Sequence, residues 1–259
     1  NLEIAERRME ALQKVRERFA KEKPFAGLTI GMALHVTKET GVLVRTLRDG
    51  GAKVAITGCN PLSTQDDVAA ALAEEENVLV WAYKGETDDD YYKFLNAVIE
   101  TEPDITIDDG CDLVTEMHTK HPHLLEKMLG GCEETTTGII RLYAMVKEGV
   151  LKVPMIAVND NKTKHLMDNY YGTGQSTFDG ILRSTNVLIA GKTIVVLGYG
   201  SCGKGVAMRA NGLGAQVVVT EVDNFAALQA GMDGHRVMPM SEAASIGDLF
   251  IVITIRLAF

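Results

Sequence analysis

One stretch narrows the possible folds more than any other: Thr193-Ile-Val-Val-Leu-Gly-Tyr-Gly-Ser-Cys-Gly-Lys-Gly205. A β-branched run, Thr193 to Leu197, enters Gly198-x-Gly200-x-x-Gly203, and a helix-compatible segment from Lys204 to Leu213 follows. A second apolar run, Gln216 to Thr220, ends in Glu221. Strand, glycine turn, helix, strand and acid, with the acid about 20 residues past the first glycine, form the fingerprint of a dinucleotide-binding βαβ unit. The glycines let the backbone turn tightly and approach a pyrophosphate, whose charge suits a helix N-terminus. Glu221 is placed to accept hydrogen bonds from a ribose 2′-hydroxyl and repels a 2′-phosphate, so NAD is favoured over NADP. Gly198, Gly200, Ser201, Cys202, Gly203, Lys204, Gly205 and Glu221 are therefore the candidate cofactor-binding residues.

The rest of the composition excludes several function classes. With 259 residues the chain is long enough for two α/β domains with their own cores. A formal net charge of -9, and no basic cluster interleaved with aromatics, argue against a nucleic-acid surface. No apolar run has the length of a membrane span, and no signal peptide opens the sequence, so a cytoplasmic protein is expected. Cys59, Cys111, Cys132 and Cys202 are scattered and form no CxxC pair, which fits a reducing compartment. His118, His121 and His123 cluster around Pro122, but no acid or cysteine completes a ligand set. They read as a solvated turn, and no metal is expected.

The opening residues, Asn1 to Lys23, are charged and helical in period, with Ile4, Met9, Leu12, Val15 and Phe19 as an apolar face that Pro24 ends. Strands and helices then alternate. Apolar runs at Leu28–Leu34, Lys53–Thr57, Val78–Tyr83, Asp104–Ile107 and Val153–Val158 read as strands. Helical segments are expected at Thr40–Leu47, Thr64–Glu75, Asp88–Glu100, Leu113–Leu129 and Thr137–Lys147. Repeated βα units imply a mainly parallel sheet covered on both faces. Asp160 to Thr185 is polar and punctuated by glycine, and reads as a connection carrying chemistry, with a helix near Gln175–Asn186. The expected fold is α/β: a doubly wound parallel-sheet substrate-binding and catalytic domain over residues 1–185, then a partial Rossmann NAD-binding domain over 186–259. Strands of the second domain are expected at Thr193–Leu197, Gln216–Thr220, Arg236–Met238 and Leu249–Thr254, fewer than the usual six. The chain starts at Asn1 rather than Met, and both ends read as cut.

Several ordered motifs carry a resemblance. They are His35-Val-Thr37 with Glu39; Cys59-Asn-Pro-Leu-Ser63-Thr-Gln-Asp66; Trp81-Ala-Tyr-Lys-Gly-Glu-Thr87; and Asp108-Asp109-Gly110. Glu133-Glu134-Thr135-Thr136-Thr137-Gly138, Val158-Asn-Asp160, Thr163-Lys164, Asp168-Asn169, the glycine turn and Thr220-Glu221-Val-Asp223 follow. In these the chain resembles the S-adenosyl-L-homocysteine hydrolase (adenosylhomocysteinase) family over nearly its whole length. The resemblance implies reversible cleavage of S-adenosylhomocysteine to adenosine and homocysteine. Bound NAD takes a hydride from the ribose 3′-carbon, and the ketone acidifies the 4′-proton. Its loss expels the thiol from the 5′-carbon, water adds, and the hydride returns. The implied partners are these small molecules, with a homotetramer formed by the full-length protein.

The chemistry needs a base for the 3′-hydroxyl, and an amine in a desolvated cleft can serve. Lys164 is the candidate, with Asp168 one helical turn on holding the ribose hydroxyls; on spacing alone the two are also compatible with a surface ion pair. By resemblance, Asp109 helps proton transfer around the 4′ and 5′ carbons, and His35 matches the family's acid/base histidine. Thr37 and Glu39 match ribose and adenine contacts, and Glu134 grips the ribose hydroxyls. Thr135, Thr136 and Thr137 contact the nicotinamide, and Asn169 binds the same cofactor. Three threonines in a row also suit a capped helix start, and Asp112 suits a helix N-cap.

The sequence departs from the family at three places. Thr173 stands where Cys is usual, and Ser201-Cys202 replaces a more frequent Asp-Val. After Thr254 the chain reads Ile-Arg-Leu-Ala-Phe259 where the family continues Gly-Asn. The last strand is thereby expected to keep an unpaired face and edge, and turnover by these residues alone to be weak or absent. Two other readings stay open: another NAD enzyme such as a 2-hydroxyacid dehydrogenase, and a non-catalytic nucleotide-binding relative or fragment.

Overall fold

The computed structural model describes residues 1–253, which form two compact units, the first Asn1–Asn159 and the second from Asp160 onward. In the first, α1 (Leu2–Arg8) and α2 (Glu10–Glu22) precede β1 (Thr29–Ala33), α3 (Lys38–Asp49), β2 (Lys53–Thr57), α4 (Asp66–Ala73) and β3 (Val78–Trp81). Then come α5 (Asp88–Ile99), β4 (Ile105–Asp108), α6 (Asp112–Lys120), β5 (Gly130–Glu133), α7 (Thr136–Lys147) and β6 (Met155–Ala157). All six strands are parallel, in the order β3-β2-β1-β4-β5-β6.

Alternation along the strands explains their unbroken apolar character. Ile30, Met32, Val54 and Ile56 face one side, where Leu2, Val44, Leu47, Val68 and Leu72 cover them. Ala33 and Ala55 face the other, with Leu95, Val98, Ile99, Leu113 and Met117. Both faces are buried, as the doubly wound expectation requires.

The opening helix differs from expectation. It breaks at Met9, and Leu2 and Ala5 are its buried residues; Ile4 is exposed, and α2 buries none fully, with Leu12, Val15 and Phe19 only half-buried. Charge pairing holds this end instead: Arg16 pairs with Glu6 and Asp49, and Arg45 with Glu6 and Glu75.

The helix expected over Leu113–Leu129 stops at Lys120, and a 3-10 turn, Pro122–Glu126, takes over because proline lacks the donor that would continue the ladder. The next strand, β5, was not expected. Gly130-Gly-Cys-Glu133 has no apolar run, but a side chain at Gly131 would come within 2.3 Å of the Thr106 hydroxyl on β4.

The second unit contains a π-helix, Lys164–Gly172, and then α8 (Thr173–Thr185), β7 (Thr193–Leu197), α9 (Ser201–Gly212), β8 (Gln216–Thr220) and α10 (Asn224–Met232). It ends with β9 (Arg236–Val237), α11 (Met240–Ala243) and β10 (Leu249–Val252). Its sheet is parallel, in the order β10-β7-β8-β9. Ile194, Val196, Val217 and Val219 pack with Phe178, Val206 and Ala207. The strands starting at Thr193 and Gln216 match expectation, and α9 starts three residues earlier than read. The final strand ends at Val252; Thr254 and the departure after it lie outside the described residues.

Candidate active site

In the first unit the sheet order reverses between β1 and β4, which is where open α/β sheets bind ligands, beyond the carboxyl ends of the strands. His35 lies just past β1, Cys59 past β2, Asp109 past β4 and Glu134 past β5. The His35 ring joins two of these ends. Its Nδ1 is 2.7 Å from the Ser63 hydroxyl, and its Nε2 is 3.5 Å from Asp109 Oδ2. Donor atoms of His35, Cys59 and Asp109 lie within 4.8 Å of one another. Burial, then Asp109, Asp108 and Glu133, push the Cys59 thiol far up, so it stays protonated.

Thr37 is the N-cap of α3 and makes no side-chain cap bond; its hydroxyl lies 3.4 Å from that of Thr40. Glu39, in the first turn, pairs with Lys38 at 3.0 Å. Burial opposes its charge, but Lys38, its own amide and Thr37 outweigh that and hold the carboxyl below its ordinary value.

Each acid doublet at a strand end divides its work. In Asp108-Asp109 the first residue is fully buried and the second partly exposed, and Glu133-Glu134 repeats the pattern. The period of two along a strand sends one acid inward and the next outward. Asp108 accepts from the Asp109 amide at 3.0 Å and the Val114 amide at 3.0 Å, so it caps α6. That role was expected of Asp112, which stands in the first turn and instead accepts from Tyr91 and Arg141. Glu133 Oε1 accepts from Gly110 and Thr135 amides at 2.9 and 3.0 Å. The expected threonine cap is thus absent as well: Thr135 is the N-cap of α7 without a side-chain cap bond, and Glu133 takes its amide. Thr136 accepts from buried Asn159 at 3.1 Å, and Thr136 and Thr137 are exposed.

His118 and His121 are engaged structurally. His118 lies between the Val114 carbonyl and the Lys152 amide, and His121 meets Asn96.

In the second unit the glycine turn follows β7 as the sequence requires. Gly198 has φ 102°, open only to glycine without strain, and the turn delivers Gly200 as N-cap of α9. Nothing lies within 4 Å of where a Gly200 side chain would start, whereas at Gly203 it would lie 2.0 Å from the Gly198 carbonyl. A pyrophosphate fits such a bare helix N-terminus. Glu221, just past β8, accepts from the Tyr199 amide at 2.6 Å and the Val222 and Asp223 amides at 2.7 and 3.0 Å. Lys204 donates to Gln229 at 2.6 Å, and the Cys202 thiol lies 3.6 Å from the Thr173 hydroxyl. Gly205 leaves room for the Tyr170 carbonyl, 1.9 Å from where its side chain would begin.

Lys164, Asp168 and Asn169 all lie on the π-helix, a rare element frequent at functional sites. Lys164 is half-buried, Asn169 buried and Asp168 exposed. Beside Lys164, His165 Nε2 meets the Ser201 hydroxyl at 2.8 Å and ties this helix to the glycine turn. Sequence reading passed over His165, Asp108 and Glu133. The doubled acids at strand ends were the signal for the last two.

Fold and glycine turn define a doubly wound, NAD-binding α/β protein. Residues 1–121 match the S-adenosyl-L-homocysteine hydrolase family, and residues 169–256 match that family's NAD binding domain. The chain belongs to the S-adenosyl-L-homocysteine hydrolase family, whose cofactor is NAD, which sets aside the hydroxyacid dehydrogenase reading. It is 63% identical over 253 residues to the S-inosyl-L-homocysteine hydrolase of Methanocaldococcus jannaschii, covering 98% of this chain and 61% of that protein. It is 61% identical to the adenosylhomocysteinase of Aquifex aeolicus, covering 98% and 60%. The chain thus spans about three fifths of the length of these relatives. A dipicolinate synthase chain from Bacillus halodurans shares the fold at a TM-score of 0.54 and 15% identity, over 89% of this chain and 75% of that one. No described helix is long and apolar enough to cross a membrane.

Proposed function

We propose that the protein carrying this chain reversibly hydrolyses S-adenosyl-L-homocysteine to adenosine and homocysteine. The observation that carries the reading is the His35–Asp109 pair at the switch point of the first sheet, 3.5 Å apart. When bound, NAD supplies reversible hydride acceptance at the ribose 3′-carbon. Lys164 takes the 3′-hydroxyl proton, and Asp168 and Glu134 hold the ribose hydroxyls. Asp109 and His35 move the protons at the 4′-carbon and at the departing or entering group on the 5′-carbon. Thr37 and Glu39 contact ribose and base. Thr135, Thr136, Thr137 and Asn169 orient the nicotinamide, and Ser201, Glu221 and the glycine turn hold the remainder of the cofactor.

A second reading changes only the base. Relatives named S-inosyl-L-homocysteine hydrolase stand beside those named adenosylhomocysteinase at similar identity, so inosine could replace adenosine. One experiment addresses both. Thiol release from S-adenosyl- and S-inosyl-homocysteine is measured with NAD present, for wild type, Asp109→Asn and Lys164→Met. Losses of about 10²–10⁴-fold in each variant are expected of general acid–base groups. Unchanged turnover in both variants refutes the assignment, and the preferred substrate selects the base. NAD-tight, adenosine-tight protein without turnover would favour the non-catalytic reading for this chain.

A further inference from the structure

Behind the exposed groups of the first unit lies a second layer of chemistry. Asp108 and Glu133 are register partners across β4 and β5, and both are 0% exposed. An oxygen of each and the Cys111 sulfur lie within 4.8 Å of one another. Their hydrogen bonds run outward to the backbone on either side. Asp108 receives the amides of Asp109 and Val114, and Glu133 those of Gly110 and Thr135. The Asp108 carbonyl receives the Glu134 amide at 2.9 Å. The turn they grip carries strain at Cys111, which has a side chain and φ 65°; Gly110 before it, at φ 113°, is free to adopt its conformation as glycine. Such conformations persist only where surroundings over-determine them. Arg141 adds a bond to the Gly110 carbonyl, and the first turn of α7 closes over the pair so tightly that a side chain at Gly138 would lie 2.2 Å from the Glu133 carboxyl carbon.

We propose that Asp108 and Glu133 are positioning residues: a buried carboxyl pair that holds the Asp109–Gly110–Cys111 turn and the Glu134–Thr135 turn in place across β4 and β5. The proposal rests on the reading that Asp109 and Glu134 carry the chemistry. Two charges so close and so dry are not tolerated together, and burial raises the affinity of both for protons. Glu133 Oε2 has no hydrogen-bond partner among the described residues, so it is the oxygen on which a proton costs no amide bond. Glutamine therefore reproduces what Glu133 does, because its single oxygen can still accept both amides. A catalytic carboxylate would not be replaced in this way.

Glu133→Ala, Glu133→Gln and Gly138→Ala are compared with wild type by amide hydrogen exchange over residues 109–114 and 133–137, adenosine affinity, and NAD affinity. Glu133→Ala and Gly138→Ala are expected to speed exchange in both segments and weaken adenosine about tenfold, the effect of removing or displacing the acceptor of buried amide donors. NAD affinity is expected to fall as well, because Thr135, on one of the freed turns, is read as a nicotinamide contact, whereas Glu133→Gln stays within about twofold of wild type. Protection and adenosine affinity like wild type in folded Glu133→Ala overturn the proposal. So does a folded Glu133→Gln as impaired as the alanine variant. Should Glu133→Ala not fold, Gly138→Ala and Glu133→Gln decide. If wild type binds no adenosine, the functional reading fails, while the exchange measurement still decides whether the pair holds the turns.

Discussion

Asp108 has an aspartate's name but, in the folded chain, a weak acid's behaviour. Burial, reinforced by Glu133 and Asp112 and opposed by two amides, moves its pKa from 3.8 to about 8. The folded state thus holds a proton that the unfolded chain gives up. The stability this supplies is complete below pH 3.8 and is lost as pH rises to about 8. Asp109, Asp112, Glu133, Cys59, Cys111, Tyr91 and Arg141 surround the group and share its field. Asp108→Asn keeps one acceptor oxygen and cannot ionise. It is expected to be less stable overall, yet to show a smaller fall in Tm than wild type between about pH 5 and pH 8, as followed by calorimetry. The candidate residues at strand ends were legible because motif and strand end coincide at His35, Asp109 and Glu134. The buried partners were not, since sequence does not say which acid of a doublet turns inward. The approach of the Cys202 thiol to the Thr173 hydroxyl, 3.6 Å apart on successive helices, was equally hidden.

The glycine turn separates two reasons for having no side chain, and a pair of variants tells them apart. Gly203→Ala forces a methyl to 2.0 Å from the Gly198 carbonyl, an overpacking that costs about 1–3 kcal/mol or more. Its Tm is expected to fall along with NAD affinity. Gly200→Ala meets open space at an ordinary φ of -72°, so Tm should hold while the methyl blocks backbone approach to the pyrophosphate and NAD affinity falls. Thermal melts with and without NAD separate the cases. The βαβ unit was readable because periodicity, glycine spacing and acid agree. The π-helix was not, because its winding matches neither the 3.6 nor the 2.0 repeat on which sequence patterns rest. β5 escaped because its glycines carry no apolar signal; Gly131 is needed for close contact with Thr106 on β4, and Gly130 for close contact with the Pro154 carbonyl.

At the scale of the whole chain, the second sheet leaves one described edge apolar. β10, the outermost strand on this side among the described residues, pairs with β7, and its side chains Phe250 and Val252, on one face, are 43% and 57% exposed. An exposed strand edge of this kind invites intermolecular pairing. Light scattering at rising concentration is expected to detect self-association of the chain, and the double substitution Phe250→Lys, Val252→Lys to suppress it. Equal scattering from both proteins would exclude this edge as the cause. The first sheet has a different consequence, one in time. Its central strand finds one neighbour nearby, Ile30 beside Val54, but the other only at Ile105. During synthesis β1 must therefore wait, half-satisfied, while β2, β3 and three helices emerge before β4 arrives. Parallel pairings of such long range are slow to close. The nascent chain consequently passes through a stage in which His35, Thr37 and Glu39 are already made, while Asp109, which must face them across the gap, is still to be synthesised.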